Sequence, residues 1–257
     1  MDTWNPQQYA KFTREREQPF FDLLGLVQPG PLMRVIDLGC GTGTLTRVLH
    51  EHLKARETTG LDRSTRMLET ARREVSAEGL RFELGEIEHV TPDPKFDVIF
   101  SNAALHWLPD HEALLGRLAS ALAPGGQLAF QVPAMHDTAT HRVAEEIARD
   151  PTFQPAFVNW RSPLTTLAPE QYARVLYGLG FQQLHVRLVI YPHVLASRRD
   201  VVEWTRGTLL TAYEKQLPPD RFLEFLERYR DRLLLQLDAG EPFFFPFKRI
   251  LVWGRRN

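Results

Sequence analysis

Hydrophobic and polar positions along this chain switch repeatedly between two periods. Short apolar runs read as buried strands, and each is followed by apolar residues recurring at three- and four-residue steps, the mark of an amphipathic helix. The first such pair is Arg34–Leu38 with Val35, Ile36 and Leu38, then Leu45, Val48, Leu49 and Leu53. The pattern predicts further strands ending at Gly60-Leu61-Asp62 and covering Leu80–Leu84, Phe96–Phe100 and Gln127–Val132. Between them it predicts helices over Thr65–Ala77, with Ser64 as N-cap, and over His111–Leu122, stopped by Pro124-Gly125-Gly126. Strands and helices alternating in this way argue for an α/β fold, a parallel sheet covered on both faces. Ahead of the first strand, residues 4–27 read as a helix carrying Tyr9, Phe12, Phe20, Leu23, Leu24 and Val27. Pro19 should break it, and Pro29-Gly30-Pro31 punctuates the approach to the strand.

Beyond Pro133 the rhythm changes. A helical segment over Thr140–Arg149 leads into a proline-studded stretch, 151–163, and a helix over Pro169–Leu179 passes through Gly180 to a strand, Leu184–Tyr191. Helical patterns follow over 199–216 and 219–237. In the second, Phe222, Phe225, Leu226, Tyr229, Leu233 and Leu237 make one apolar stripe, which reads as packing against the rest of the domain rather than as a partner face. Phe243–Trp253 is the last strand, and its Pro246 belongs at an edge or a bulge.

Composition narrows the function classes. The 257 residues suffice for a sizeable core. With 43 % hydrophobic and 25 % charged residues and a formal net charge of −1, no global field favours nucleic acid or an anionic membrane. No apolar run approaches the ~20 residues of a membrane span. The N-terminal MDTWNPQQYAKF lacks the basic and apolar regions of a signal peptide, so a cytoplasmic protein is expected. Cys40 is the only cysteine, so neither an internal disulfide nor a cysteine metal cluster is expected, and no metal ligands are assigned.

The chemistry concentrates between Arg34 and Thr46, RVIDLGCGTGTLT. A buried strand ends at Asp37-Leu38, three glycines make a tight turn (Gly39, Gly41, Gly43), and a helix starts with its free N–H groups facing the loop. A dinucleotide site needs G-x-G-x-x-G, but Thr44 stands where that third glycine belongs. A P-loop is excluded because no Gly-Lys-Ser/Thr follows. The D-x-G-x-G-x-G spacing resembles instead the first motif of the class I S-adenosylmethionine (SAM)-dependent methyltransferases. A nicotinamide enzyme and a non-catalytic relative of the fold stay open. Cys40, between two glycines, reads as a small loop filler rather than a thiol catalyst.

Ligands of such sheets bind at the carboxyl ends of the strands. Those ends supply Gly39, Cys40 and Gly41, then Asp62, Glu86 and Asn102. Asp62 lies 19 residues after Gly43, close to the spacing at which an acid accepts from ribose hydroxyls. The resemblance implies that Glu86 accepts from the adenine amino group and that Ile87 packs on the ring, although Glu86 beside Glu88 also reads as a solvated pair. Met67 is either core or the apolar floor under the adenosine. Asn102 is expected to offer side-chain or backbone oxygens to the methionyl ammonium. His106 and Trp107 follow on the same loop, as a substrate contact or a structural pair.

The segments WNPQQYAKFTREREQP, NAALHWLPDH, APGGQLAFQVP, VVEWTRGTLL and FFFPFKRILVWGRR resemble the trans-aconitate 2-methyltransferases over nearly the whole chain. The departures are Thr42 in the turn and Glu86 where an Asp is more familiar. The resemblance implies a Rossmann-like class I methyltransferase with a seven-stranded, mostly parallel sheet, helices on both faces and a helical cap. Residues 1–30 would form a lid over the cofactor, with Tyr9 above it and Arg16 toward its carboxylate. Residues 31–133 would form the SAM-binding core, 134–166 and 196–240 the substrate cap, and 167–195 with 241–257 the rest of the sheet.

A carboxylate acceptor is ionised at pH 7, its reference pKa being ~4, so its methylation needs no general base. Rate would come from in-line positioning and exclusion of water. A polycarboxylate needs cations, and Arg161, Arg198, Arg199, Arg206 and Lys248 are the candidates, with Trp160, Tyr191, His193 and Trp204 shaping the pocket. The expected protein is a monomer or weak homodimer that takes SAM and a small anionic acid, releases S-adenosylhomocysteine, and binds neither nucleic acid nor membrane. Methylation of another small metabolite or a carrier-bound acid, or SAM binding without turnover, are the alternatives.

Overall fold

The computed structural model describes residues 13–93, 95–135, 138–160, 162 and 165–257, with side chains from residue 17 onward. In chain order the elements are α1 (Thr13–Leu24), β1 (Arg34–Leu38), α2 (Thr44–Leu53), β2 (Glu57–Asp62), α3 (Thr65–Glu74), β3 (Leu80–Leu84), β4 (Phe96–Asn102) and α4 (His111–Ser120). They continue with β5 (Leu122–Pro133), α5 (Ala139–Ala148), α6 (Pro169–Gly178), β6 (Phe181–Leu195), α7 (Arg199–Arg206), α8 (Leu210–Glu214), α9 (Pro219–Gln236) and β7 (Phe243–Arg256). The strands form one seven-stranded sheet in the order β3-β2-β1-β4-β5-β7-β6. The first five run parallel to their neighbours, and β7 returns antiparallel to β5. Chain order reverses beside β1, between its neighbours β2 and β4, and a ligand crevice opens at such a switch point.

Contacts divide the described chain into two units. The first holds residues 14–133, 166–189 and 249–257; the second holds 134–165 and 190–248. The boundaries fall inside β6 and β7. In the first unit α1 and α2 set Phe20, Leu23, Leu24, Leu49 and Leu53 on one sheet face, against Val35, Val98, Phe100, Ala129 and Trp253. Phe130 points the other way, as the next residue of a strand must, and meets Tyr172 of α6 edge-on at 5.3 Å. In the second unit α9 lays Phe222, Phe225, Tyr229 and Leu233 on α5, α7 and α8. The apolar stripe is therefore a packing face, as the sequence implies.

Three elements differ from their sequence pattern, each for a physical reason. Pro19 does not break α1, which runs through it. An interior proline costs about 3 kcal/mol, and burying Phe20 and Leu23 completely returns about 1.5–3 kcal/mol each. The expected single helix over 199–216 divides at Gly207, where Thr205 and Thr208 turn their hydroxyls onto carbonyls of the preceding turn. β5 starts five residues early, at Leu122, which pairs with Phe96 before the Pro124-Gly125-Gly126 stretch bulges out and pairing resumes at Val98 with Gln127. Pro246 lies beyond Arg249, the last residue of β7 with a β5 partner, so its missing N–H breaks no bond to that strand.

Candidate active site

The glycine turn is built by two close approaches and one opening. Gly39, Gly41 and Gly43 all have positive φ. A methyl group at Gly39 would stand 2.3 Å from the Ala104 Cβ, and one at Gly43 would stand 2.4 Å from the Phe82 ring. At Gly41 it would meet nothing within 4 Å. The outer glycines thus let the turn pack against the β4 loop and against β3, and only the middle one faces open space. Cys40 sits beneath, packed with Leu68, Ala71, Val75 and Phe82. Its N–H donates to Leu61 O, its carbonyl accepts from Gly43 N, and its thiol reaches the Gly41 carbonyl at 3.8 Å. Burial, then the charges of Asp37 and Asp62, push that thiol far above its ordinary range. Cys40 is a packing residue of the turn, and each of its polar groups already has an internal partner.

Two acids brace the turn. Asp62, at the end of β2, accepts from the Gly41 amide through Oδ2 and from the Ser64 amide through Oδ1, both at 2.9 Å. A carboxylate offers about four acceptor positions, so two remain for an incoming hydroxyl pair. Ser64 caps α3 by accepting from Met67 N; Met67 is half-buried, outside the buried face made by Leu68 and Ala71. Asp37 is nearly inaccessible and accepts at 2.6 Å from Thr46 in the first turn of α2. Burial pushes the Asp37 carboxyl up to about 7 against the opposing effect of the Thr46 hydrogen bond, and Asp62 adds to the rise.

The end of β3 brings Gly85 N onto Asp62 O at 3.0 Å. Glu86 follows, exposed, with His89 Nδ1 3.5 Å from its carboxylate. Ile87 is half-buried, its Cδ1 4.0 Å from where a Gly39 methyl would stand. At the end of β4, Ser101 donates to Leu38 O, tying the strand to β1. Asn102 Oδ1 accepts from Gln131 Nε2 at 2.6 Å, and Gln131 Oε1 accepts from Arg249 Nη1 at 2.9 Å. Of the side-chain and backbone oxygens that Asn102 is expected to offer an ammonium, the side-chain one already accepts from Gln131. Ala103 then turns the chain with a positive φ and sets Ala104 on Gly39. Leu105–Trp107 is a single 3₁₀ turn in which His106 is buried against Trp107, ring centroids 4.7 Å apart, and Trp107 is 47 % exposed. His111 pins this turn: its Nε2 lies 3.1 Å from Leu105 O and its Nδ1 2.6 Å from the Tyr172 hydroxyl. Burial holds the His111 imidazole below its usual range.

The first unit thus brings together Gly39, Cys40, Gly41, Asp62, Met67, Glu86, Ile87, Asn102, His106 and Trp107. The second unit carries the candidate cations. Arg206 is exposed at the end of α7, and Lys248 is half-buried, its carbonyl accepting from Ala134 N. Arg198 donates to the carbonyls of Leu234 and Leu237, capping α9 rather than facing a ligand. His193 lies between Trp204 and Phe247, and Trp160 packs on Tyr213. Tyr9, Arg161 and the Arg16 side chain lie outside the described residues. The sequence reading passed over Gln131, Arg249, His111, Tyr172 and the Asp37–Thr46 bond. Their one signal was a polar residue inside an apolar run, Asp37 in RVIDL and Gln131 in LAFQV. Among the described residues no group of three or more His, Cys, Asp or Glu is placed to hold a metal ion, and no helix is long and apolar enough to cross a membrane.

A glycine turn open at its middle residue, a carboxylate at the end of β2 with free acceptor positions, and this strand order suit a nucleoside cofactor. Together they define a class I SAM-dependent methyltransferase. Residues 30–173 match the family described as a methyltransferase domain. A trans-aconitate 2-methyltransferase of Deinococcus radiodurans is 40 % identical over 99 % of this chain and 98 % of its own length. One from Methylobacterium nodulans is 37 % identical over the whole of both. The chain belongs to the trans-aconitate 2-methyltransferase family. Solved structures share the fold at lower identity. The YcgJ protein of Bacillus subtilis matches at 19 % identity and a TM-score of 0.65, over 94 % of this chain and 99 % of that one. A SAM-dependent methyltransferase from Mesorhizobium loti matches at 20 % and 0.52, over 94 % and 98 %.

Proposed function

We propose that this enzyme methylates a carboxylate oxygen of a small polycarboxylic acid, trans-aconitate being the acceptor that its relatives are named for. The observation that carries the reading is the full-length identity with those relatives, which includes the second unit as well as the cofactor core. Bound SAM supplies an electrophilic methyl group. The chain's own part is to bind, orient and exclude water. Asp62 takes the ribose hydroxyls on its two remaining acceptor positions, and the open backbone at Gly41 lies alongside. Met67, Glu86 and Ile87 surround the adenine, with Tyr9 and Arg16 closing from the N-terminal segment, residues 1–30.

An ionised carboxylate attacks without a base, so no residue is assigned proton abstraction. His106 and Trp107 wall the transfer site, while Arg161, Arg206 and Lys248 hold the acid's other carboxylates from the cap, residues 134–166 and 196–240. Charge-assisted contacts of that kind also select for anionic acceptors. Residues 31–133 are the SAM-binding core, and 167–195 with 241–257 complete the sheet. The protein works in the cytoplasm, as a monomer or weak homodimer, without nucleic acid or membrane. Incubation with methyl-labelled SAM and a panel of tricarboxylates, amines and phenols tests this. Label in the trans-aconitate ester is the expected result; transfer to an amine or a phenol alone overturns it.

A further inference from the structure

Asn102 and Gln131 are direct register partners on β4 and β5. Gln131 in turn pairs with Leu251 on β7, so Arg249, two residues from Leu251, is its diagonal neighbour on the same face. Gln131 is fully buried and Arg249 is 5 % exposed. A guanidinium only donates. Gln131 must therefore present its carbonyl oxygen to Arg249, as it does at 2.9 Å, and its NH₂ to Asn102. The end of Asn102 that meets this NH₂ has to be its oxygen, at 2.6 Å. Turning both amides over would set the Gln131 NH₂ against the guanidinium, donor on donor in a buried place, and would leave buried polar groups unmatched. The polarity of the whole row is dictated by the one residue in it that never accepts. What Asn102, half-buried at the ligand end of β4, has left is its Nδ2 group.

We propose that Asn102 is a hydrogen-bond donor to a ligand carboxylate, and that Gln131 and Arg249 are positioning residues that fix its amide in that sense. The inference deepens the proposed function and rests on it for the identity of the acid. Two carboxylates share the required chemistry, the one on the cofactor's methionyl group and those on the acid. An ammonium does not, because it would meet a second donor. Asn102 stands next to Ala103, whose turn carries Ala104 onto Gly39, so the donor lies beside the glycine turn.

Asn102→Asp tests the sign. Aspartate still accepts from Gln131 and keeps the shape, but it replaces the outward donor by an acceptor. On the full-length protein, calorimetry would compare S-adenosylhomocysteine with 5′-methylthioadenosine, which has neither carboxylate nor ammonium, alongside KM and kcat for trans-aconitate. The unfolding midpoint and 5′-methylthioadenosine affinity should match wild type. A loss of S-adenosylhomocysteine affinity of about tenfold or more assigns the cofactor's carboxylate; a KM rise of that size at unchanged S-adenosylhomocysteine affinity assigns the acid's. Unchanged values for both ligands, or tighter S-adenosylhomocysteine binding, overturn the proposal, the latter by showing an acceptor facing the ammonium. Gln131→Glu is the second variant. Glutamate pairs with Arg249 and takes the Asn102 NH₂, turning the oxygen outward, so the same loss should appear in a folded protein; full activity there overturns the positioning role. Wild-type protein that binds S-adenosylhomocysteine but methylates no acid would refute the proposed function. The S-adenosylhomocysteine comparison would then decide the donor alone.

Discussion

The Asp62 carboxylate is hydrogen-bonded to the Gly41 amide at 2.9 Å, so the acid at the end of β2 and the open residue of the glycine turn form one unit. Its other oxygen is held by Ser64 N, the residue that caps α3. Both protein partners are N–H donors, which makes asparagine a poor replacement: its NH₂ must oppose one of them. Asp62→Ala should weaken S-adenosylhomocysteine binding by about 1–3 kcal/mol through unmatched ribose hydroxyls. Asp62→Asn should lose nearly as much, despite its matching shape. Calorimetric titration decides this, and an Asn variant with wild-type affinity would remove Asp62 from the site.

The glycines of the turn should separate under substitution. Gly43→Ala meets the Phe82 ring at 2.4 Å in a positive-φ position, which adds overpacking of about 1–3 kcal/mol to about 1–2 kcal/mol of backbone strain. Gly41→Ala meets only the backbone cost, since its methyl has room. Thermal unfolding should therefore fall much further for Gly43→Ala, while Gly41→Ala stays folded and loses cofactor affinity because its methyl occupies the opening. Phe82→Leu should partly restore Gly43→Ala. Equal destabilisation by both substitutions would contradict the packing described.

Asp37 makes a prediction about pH. Its carboxyl titrates at about 7 in the fold, chiefly through burial, and near 4 in an unfolded chain. Folding therefore takes up a proton between those values, and stability from this group falls as pH rises from about 4 to about 7, remaining low above that. About three pH units at about 1.4 kcal/mol each bound the loss at about 4 kcal/mol. Asp37→Asn keeps an oxygen for the Thr46 hydroxyl and has nothing to titrate. It should flatten the midpoint between pH 5 and 8 and gain most over wild type at pH 8; parallel curves for the two proteins would refute it.

Arg206 is exposed at the end of α7, where a cation costs little to expose and is free to meet an anion. Arg206→Gln should raise KM for the tricarboxylate several-fold and leave S-adenosylhomocysteine affinity unchanged. An unaltered KM would return Arg206 to the solvated surface and leave Lys248 and Arg161 to carry the anion.

The cofactor half of this protein was legible because it is local in sequence. A strand, a glycine turn and a helix start are adjacent along the chain, and Asp62 and Asn102 follow at strand ends. The parallel character of the sheet follows from the same alternation, while its strand order does not. What stayed hidden depends on register between distant strands. No spacing shows that Gln131 lies across from Asn102, or that Arg249, 118 residues further on, reaches it. That geometry commits the Asn102 side-chain oxygen to Gln131, which no reading of the loop by itself shows. The packing roles of the glycines also needed three dimensions, because Ala104 and Phe82 leave no room for a side chain at Gly39 and Gly43. Proline 19 misled for an energetic reason: the periodic pattern marks a cost without weighing the two buried residues that offset it.

His111 and Tyr172 hold the loop that carries His106 and Trp107, and their contact sets an acid limit on the enzyme. Burial favours the neutral His111 ring, and with Nε2 donating to Leu105 O that ring has its Nδ1 to accept from the Tyr172 hydroxyl. Burial holds its pKa below the usual value of about 6.5. The unfolded chain therefore binds the proton more readily, and the stabilisation is fully present above about pH 6.5 and lost as pH falls below it. Tyr172→Phe removes the hydroxyl that meets Nδ1 and leaves a buried acceptor unmatched, at about 1–3 kcal/mol. The variant should lose kcat more than cofactor affinity, because Leu105–Trp107 loosens while the Gly41–Asp62 pair is untouched. Hydrogen exchange in residues 103–108 should rise in Tyr172→Phe at pH 7.5, and in wild type on acidification to pH 5.5. Exchange unchanged in both would show that the loop is held by something other than His111.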